Sequence, residues 1–236
     1  MKDIIPAKKQ SPILGLSGMG GGVGSNIVAG GAEKVYGGDV FSTYVYKGAG
    51  SGQNINNGID NSGKGGMVWF KSRDKTYDHQ IVDTIRGGSA GVQPNTTSGT
   101  VSTQYISSFN DNGFTLGNET ASSGGGDKFA AWNFRKQKGF FDVVTYTGNG
   151  VAGRTVSHSL GSIPSCIMIK RTDASSWWCV YHRGIGATKY LHLNTTAAAQ
   201  THTTLWNDTE PTSSVFSLGT DAWVNGNGGS FIAYIF

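Results

Sequence analysis

A nine-residue stretch occurs twice in this chain. Gly66-Met67-Val68-Trp69-Phe70-Lys71-Ser72-Arg73-Asp74 returns as Ser165-Cys166-Ile167-Met168-Ile169-Lys170-Arg171-Thr172-Asp173. The match extends to both sides. Thr43-Tyr44-Val45-Tyr46-Lys47-Gly48 answers Val143-Val144-Thr145-Tyr146-Thr147-Gly148, and Ile85-Arg86-Gly87 answers His182-Arg183-Gly184. Asn95-Thr96-Thr97 answers Asn194-Thr195-Thr196, and Phe114-Thr115-Leu116-Gly117 answers Phe216-Ser217-Leu218-Gly219. The copies close on Phe129-Ala130-Ala131-Trp132-Asn133-Phe134 and Phe231-Ile232-Ala233-Tyr234-Ile235-Phe236. Self-similarity at a nearly constant offset is the signature of a tandem duplication, so whatever one copy folds into, the other should repeat.

Each copy reads as short strands. Aromatic residues make up 11% of the chain, and with abundant Val, Ile and Thr they favour strands; no window carries a sustained 3.6-residue apolar stripe. In the second copy strands are predicted near 141–147, 154–160, 166–172, 177–183, 189–193, 214–218 and 230–236, with turn residues between them. Cys166-Ile167-Met168-Ile169 hardly alternates, which predicts a central strand covered on both faces. The expected class is all-β, as two tandem antiparallel β-sandwich (jelly-roll-like) modules after an extended Gly-rich N-terminal arm. Two copies can each close a sandwich or supply opposite halves of one larger jelly roll. The length of a copy and the polar joint Arg135-Lys136-Gln137-Lys138-Gly139 favour two modules, 39–138 and 139–236.

Residues 1–38 belong to neither copy. Glycine makes this leader costly to order and its apolar residues are too few for a core. It reads either as a disordered tail or as an arm that docks on a neighbouring protein. Ile13, Leu14, Leu16, Val23, Ile27 and Val28, spread through it, favour the arm. The N-terminus has no apolar signal segment and no run long enough to span a membrane, which predicts synthesis in a cytoplasm and no membrane insertion. The net charge of +4 is densest at Lys8-Lys9 and at Arg135, Lys136 and Lys138. Those clusters read as solvated linkers, too small to track a phosphate backbone, so no nucleic-acid partner is expected.

Catalytic patterns fail one by one. Gly58 to Gly65 fits GxxxxGK, but Gly65 stands where a Ser or Thr should bind magnesium, and a strand follows where a helix is needed. The histidines His79, His158, His182, His192 and His202 lack metal-ligand spacing, although His192 and His202 could meet across strands, and carboxylates are sparse. Cys166 and Cys179 read against Met67 and Val82, which makes them ordinary buried thiols. The expectation is a non-enzyme with no metal and no cofactor.

Recognition through aromatic rings remains. Trp69 reads against Met168 and Trp132 against Tyr234, apolar in both copies and therefore packed. Trp177 reads against Gln80 and Trp223 against Ala121, positions expected to be open to water. Such rings stack on sugars and anchor interfaces, so Trp177 and Trp223 are the first ligand candidates. Trp206, Asn207 and Asp208 add a ring beside hydrogen-bonding groups, with Tyr105 or Phe109 as the counterpart of Trp206. The competing expectation is that these rings pack between copies or subunits.

The runs Gly63 to Arg73, Phe140 to Gly148, Val180-Tyr181-His182-Arg183 and Phe231 to Ile235 also carry a resemblance. Over about residues 39–236 the chain resembles virion structural proteins of tailed phages, especially those of marine bacteria and cyanobacteria. The resemblance implies laminin-G or concanavalin-like sandwiches, a tail-fibre or appendage role in host attachment, and location in the virion. The implied partners are other virion proteins of tail or head, with a host-surface glycan as candidate ligand and a homo-oligomer, as in fibre trimers, by analogy. Two alternatives stand beside it: a purely structural head-decoration or tail-adaptor protein, and a polysaccharide depolymerase.

Overall fold

The computed structural model describes residues 34–236, and the proposed arm residues Ile13, Leu14, Leu16, Val23, Ile27 and Val28 lie outside them. Within the described residues the first half runs α1 (Gly37–Val40), β1 (Phe41–Lys47), β2 (Asn54–Asn56), β3 (Gly66–Ser72), β4 (Gln80–Asp83), β5 (Ala90–Gly91), β6 (Val101–Ser102), β7 (Ile106–Asn110), β8 (Gly113–Leu116), α2 (Thr120–Ser123) and β9 (Lys128–Arg135). The second half runs β10 (Asp142–Thr147), β11 (Arg154–Ser157), β12 (Cys166–Arg171), β13 (Cys179–His182), β14 (Lys189–His192), β15 (Gln200–Thr201), β16 (Val215–Leu218), α3 (Ala222–Asn225) and β17 (Ser230–Ile235). The class is all-β, and each helix is a single turn of four residues. None of the described helices is long and apolar enough to cross a membrane.

The halves share one strand order. In the first, a large antiparallel sheet runs β1-β9-β3-β4 and continues to β5-β6 through an Ile81–Val92 bridge. In the second, the order β10-β17-β12-β13-β14-β15 repeats it. A smaller sheet faces each: β2-β8-β7 in the first half and β11-β16 in the second. Among the described residues no named strand of one half pairs with a strand of the other. The central strand β12 is buried along Ile167–Lys170, on both faces, which explains its lack of alternation.

Three apolar cores make this a four-layer stack. Ile55, Phe114 and Leu116 of the first small sheet pack on Val68, Phe70 and Phe129 of its large sheet. Val156, Phe216 and Leu218 pack in the same way on Ile167, Ile169 and Phe231. The third core lies between the two large sheets, where Met67, Ile81 and Val92 meet Val143, Met168, Trp178, Ile232 and Tyr234. A strand sandwiched between two cores has no solvent face, so its side chains must be apolar on both sides.

Polar contacts also join the halves. The Trp178 indole donates to Gln93 O at 2.9 Å, and Thr100 N donates to Thr172 O at 2.8 Å. Lys170, fully buried, donates from Nζ to Thr97 O at 2.9 Å and to Ser176 O. Burial pushes its ammonium down to about 8. Its counterpart Lys71 caps Lys75 O and Tyr77 O within its own half. At the joint, Lys136 pairs with Asp142 at 2.9 Å.

The duplication recurs in detail. A Cβ on Gly48 would overlap Gly124 O, and one on Gly148 would overlap Gly226 O, so both positions require glycine. Tyr46 stacks on Phe129 and donates to Ser122 O at 2.6 Å, while Tyr146 stacks on Phe231 and donates to Val224 O at 2.7 Å. Burial raises the pKa of both hydroxyls and that of Tyr234. A folded pKa above the unfolded value near 10 means stability that is complete below that pH and lost as pH rises past it. The expected result is cooperative alkaline unfolding above about pH 10, with the phenolate absorbance of the buried rings appearing only as the far-ultraviolet signal collapses.

Pairing registers correct parts of the sequence alignment. Phe70 pairs with Gln80 and Ile169 with Cys179, so Cys179 answers Gln80, and Val82 answers Tyr181. Gly87 N bonds Asp83 O and Gly186 N bonds His182 O, so Arg86 answers Ile185 rather than Arg183. Cys166 and Cys179 are both free thiols.

Candidate ligand-binding surface

Asn95 Oδ1 accepts from His79 N and Asn194 Oδ1 from Trp178 N, which makes Trp178 the counterpart of His79 and Trp177 that of Asp78. Gln80, the counterpart expected for Trp177, is buried. Gln80 is thus not the open position expected of it, yet Trp177 is 38% exposed and Trp178 is fully buried. Successive side chains of an extended segment point to opposite faces, so neighbouring tryptophans entering β13 have opposite fates. Trp178 turns to the core between the halves, and Trp177 turns to the mouth between the large and small sheets.

At that mouth the structure gathers rings from four segments. Trp177 lies 5.1 Å from His192 between ring centroids, and His192 lies 5.7 Å from Trp223. Tyr190, buried beneath, contacts His192 at 5.0 Å, His202 at 5.7 Å and Trp223 at 6.2 Å. Tyr190 and His192 share one face of β14 because they are two residues apart. Pairing of Tyr190 with Gln200 brings His202, just past β15, to the same place. The Tyr190 hydroxyl donates to Gln200 Oε1 at 2.7 Å, and burial raises its pKa.

Trp223 is held by the first turn of α3, where the Asp221 carboxylate accepts from Trp223 N at 2.7 Å as an N-cap. The other Asp221 oxygen lies 3.3 Å from His202 Nε2, an ion pair when the imidazole is protonated. Trp223 is half-buried, with one part of its indole on the second-half core. His192 Nδ1 lies 3.0 Å from Trp178 O. The arrangement presents a ring surface edged by imidazoles, which suits stacking against a flat apolar face with hydrogen bonds at its rim.

Trp206 does not join this surface. Gly117 N bonds Tyr105 O and Gly219 N bonds Leu205 O, so Trp206 answers Ile106 rather than Tyr105 or Phe109. It is buried in the second-half core, edge-on to Tyr181, with its indole donating to Lys189 O at 3.1 Å. Asn207 and Asp208 take left-handed φ of 54° and 46° in a turn closed by Thr209 N to Trp206 O, a conformation Asn and Asp tolerate best. Both residues form the turn. Among the described residues no group of three or more His, Cys, Asp or Glu is placed to hold a metal ion.

Residues 36–236 match a family described as a domain of unknown function, DUF7483, and the chain belongs to that family. Neither a curated protein nor a solved structure matches it.

Proposed function

We propose that this protein is a tailed-phage virion component of the tail-fibre or appendage type, which contacts host-surface glycan through Trp177, His192 and Trp223. One observation carries the recognition step: an indole left open to solvent at a sheet mouth, with a second indole and two imidazoles converging on the same surface. The virion assignment rests on the sequence resemblance over both copies. Weak single sites suffice for attachment, because several subunits on one particle act together.

The full-length protein is expected to bind intact host cells and a subset of an array of host polysaccharides. Trp177→Ala should lower that binding by about thirtyfold, as for an interface anchor, while changing stability by no more than about 0.5 kcal/mol. Unchanged binding in a correctly folded Trp177→Ala protein would sink the assignment of this surface.

The structural alternative, a head-decoration or tail-adaptor protein, also has an observation in its favour. Phe41, Tyr44 and Val45 are exposed along β1, a sheet edge that pairs only with β9 among the described strands. Such an edge invites cover by a neighbouring subunit. Particles whose Trp177→Ala protein is incorporated normally but no longer adsorbs to cells would favour attachment over this reading.

A further inference from the structure

The same sheet mouth in the first half is open. Where the second half places Tyr190, the first has Gly91, and the ring of Tyr105 lies against that glycine with no room for a Cβ. Leu205 stands at the position of Tyr105, Ala121 at that of Trp223, and Thr103 at that of His202. The Thr103 hydroxyl donates to Glu119 at 2.7 Å, just as His202 meets Asp221. Exchanging rings for small and polar side chains leaves a cleft of about 430 Å³.

The cleft is lined with hydrogen-bonding groups that the protein does not use up. Tyr105 is only 2% exposed, yet its hydroxyl makes no hydrogen bond to the described residues. Gln80, equally buried, has an Oε1 with no partner. A buried polar atom without a partner costs stability unless water or a ligand completes it. Asp78 spends one oxygen on Asn95 Nδ2 at 2.7 Å, and Glu119 caps α2 through Ala121 N. Burial, with the nearby charges of Glu119 and Asp78, raises the pKa of the Tyr105 hydroxyl and keeps it a donor. Among the described residues no Lys or Arg lines the cleft, so an anionic ligand finds no cationic partner in them.

We propose that this cleft is a second saccharide site, taking a neutral or amino-bearing sugar unit and rejecting acidic sugars. Carboxylate and amide oxygens accept from the hydroxyl or ammonium groups of such a ring. The Tyr105 hydroxyl donates to a ring or hydroxyl oxygen, and Val101 and Ala121 supply an apolar floor. The proposal rests on the glycan-binding reading and extends it to a different part of the same fold.

The test is amide-resolved NMR of the full chain titrated with glucose, galactose, glucosamine and glucuronate. Glucosamine and at least one of the neutral hexoses are expected to shift the amides of residues 78–80, 91–93, 101–105 and 119–121, and glucuronate is not. Tyr105→Phe should weaken the response by about tenfold. Ala121→Trp, which puts into α2 the side chain that α3 carries, should abolish it. Absence of cleft shifts with both hexoses and glucosamine, equal shifts with glucuronate, or shifts that survive both substitutions would overturn the proposal. Trp177→Ala should leave these shifts alone. Cleft shifts with array binding indifferent to Trp177→Ala would overturn the aromatic surface only, and the converse would overturn the cleft only.

Discussion

Asp83→Ala is expected to destabilise the folded chain by about 3–5 kcal/mol, the cost of leaving a buried guanidinium without its carboxylate. Asp83 is fully buried, and its Oδ2 accepts from Arg86 Nε at 2.8 Å, Arg86 Nη2 at 2.6 Å and the Tyr234 hydroxyl at 3.0 Å. Its Oδ1 accepts from Ile85 N and Arg86 N, so the same side chain also shapes the turn after β4. Tyr234 comes from β17, which makes this network a polar bond between the two halves. Urea denaturation should show the loss as a lowered midpoint. The double change Asp83→Leu with Arg86→Met should recover most of it, because an apolar pair of similar size is often no worse than a buried ion pair. A single-variant loss below about 1 kcal/mol would mean that water reaches Arg86 and that the network is a surface pair.

The second large effect is expected at Trp178. Trp178→Ala should cost about 3–5 kcal/mol, through lost burial and the cavity left between the large sheets. The ring packs near Tyr234 at 6.3 Å and its N–H satisfies Gln93 O, so truncation also leaves a carbonyl unpaired. For a chain of this size each kcal/mol lowers the melting temperature by about 2–4 °C, giving a drop on the order of 10 °C by calorimetry. Its neighbour Trp177 should show almost none of this. Equal melting temperatures for the two alanine variants would contradict the opposed orientations described here.

Much of this architecture was legible in the sequence. The anchor repeat located β3 and β12, and apolar runs bounded by turn residues located the main strands of both copies. What slipped was register. Trp177 was read against Gln80, two positions from its true counterpart Asp78, and a shift of two leaves a side chain on the same face. The exposed indole was thus found through a mistaken comparison. Trp206 was misjudged because one extra residue between His202 and Thr204 moves its counterpart to the buried Ile106. That His192 and His202 could meet across strands was legible, but not that Tyr190 and Trp223 join them, since the meeting depends on the two-residue strand β15, too short to carry a sequence signal. Likewise nothing local to Gly91 announces that a ring from β14 is missing there. That contrast appears only when the two mouths are superposed.

The third core also bears on how such a chain is assembled. A lone second half would show water the face formed by Val143, Met168, Ile232 and Tyr234, so a solitary ancestor would have had to find a twin. Tethering two of them replaces a search in bulk solution by an encounter at millimolar local concentration, whatever the abundance of the product. It also removes the demand that both faces be identical. Asp83 can grip Tyr234 from one side alone, and one mouth can fill with rings while the other stays hollow, because a substitution no longer appears on both partners at once.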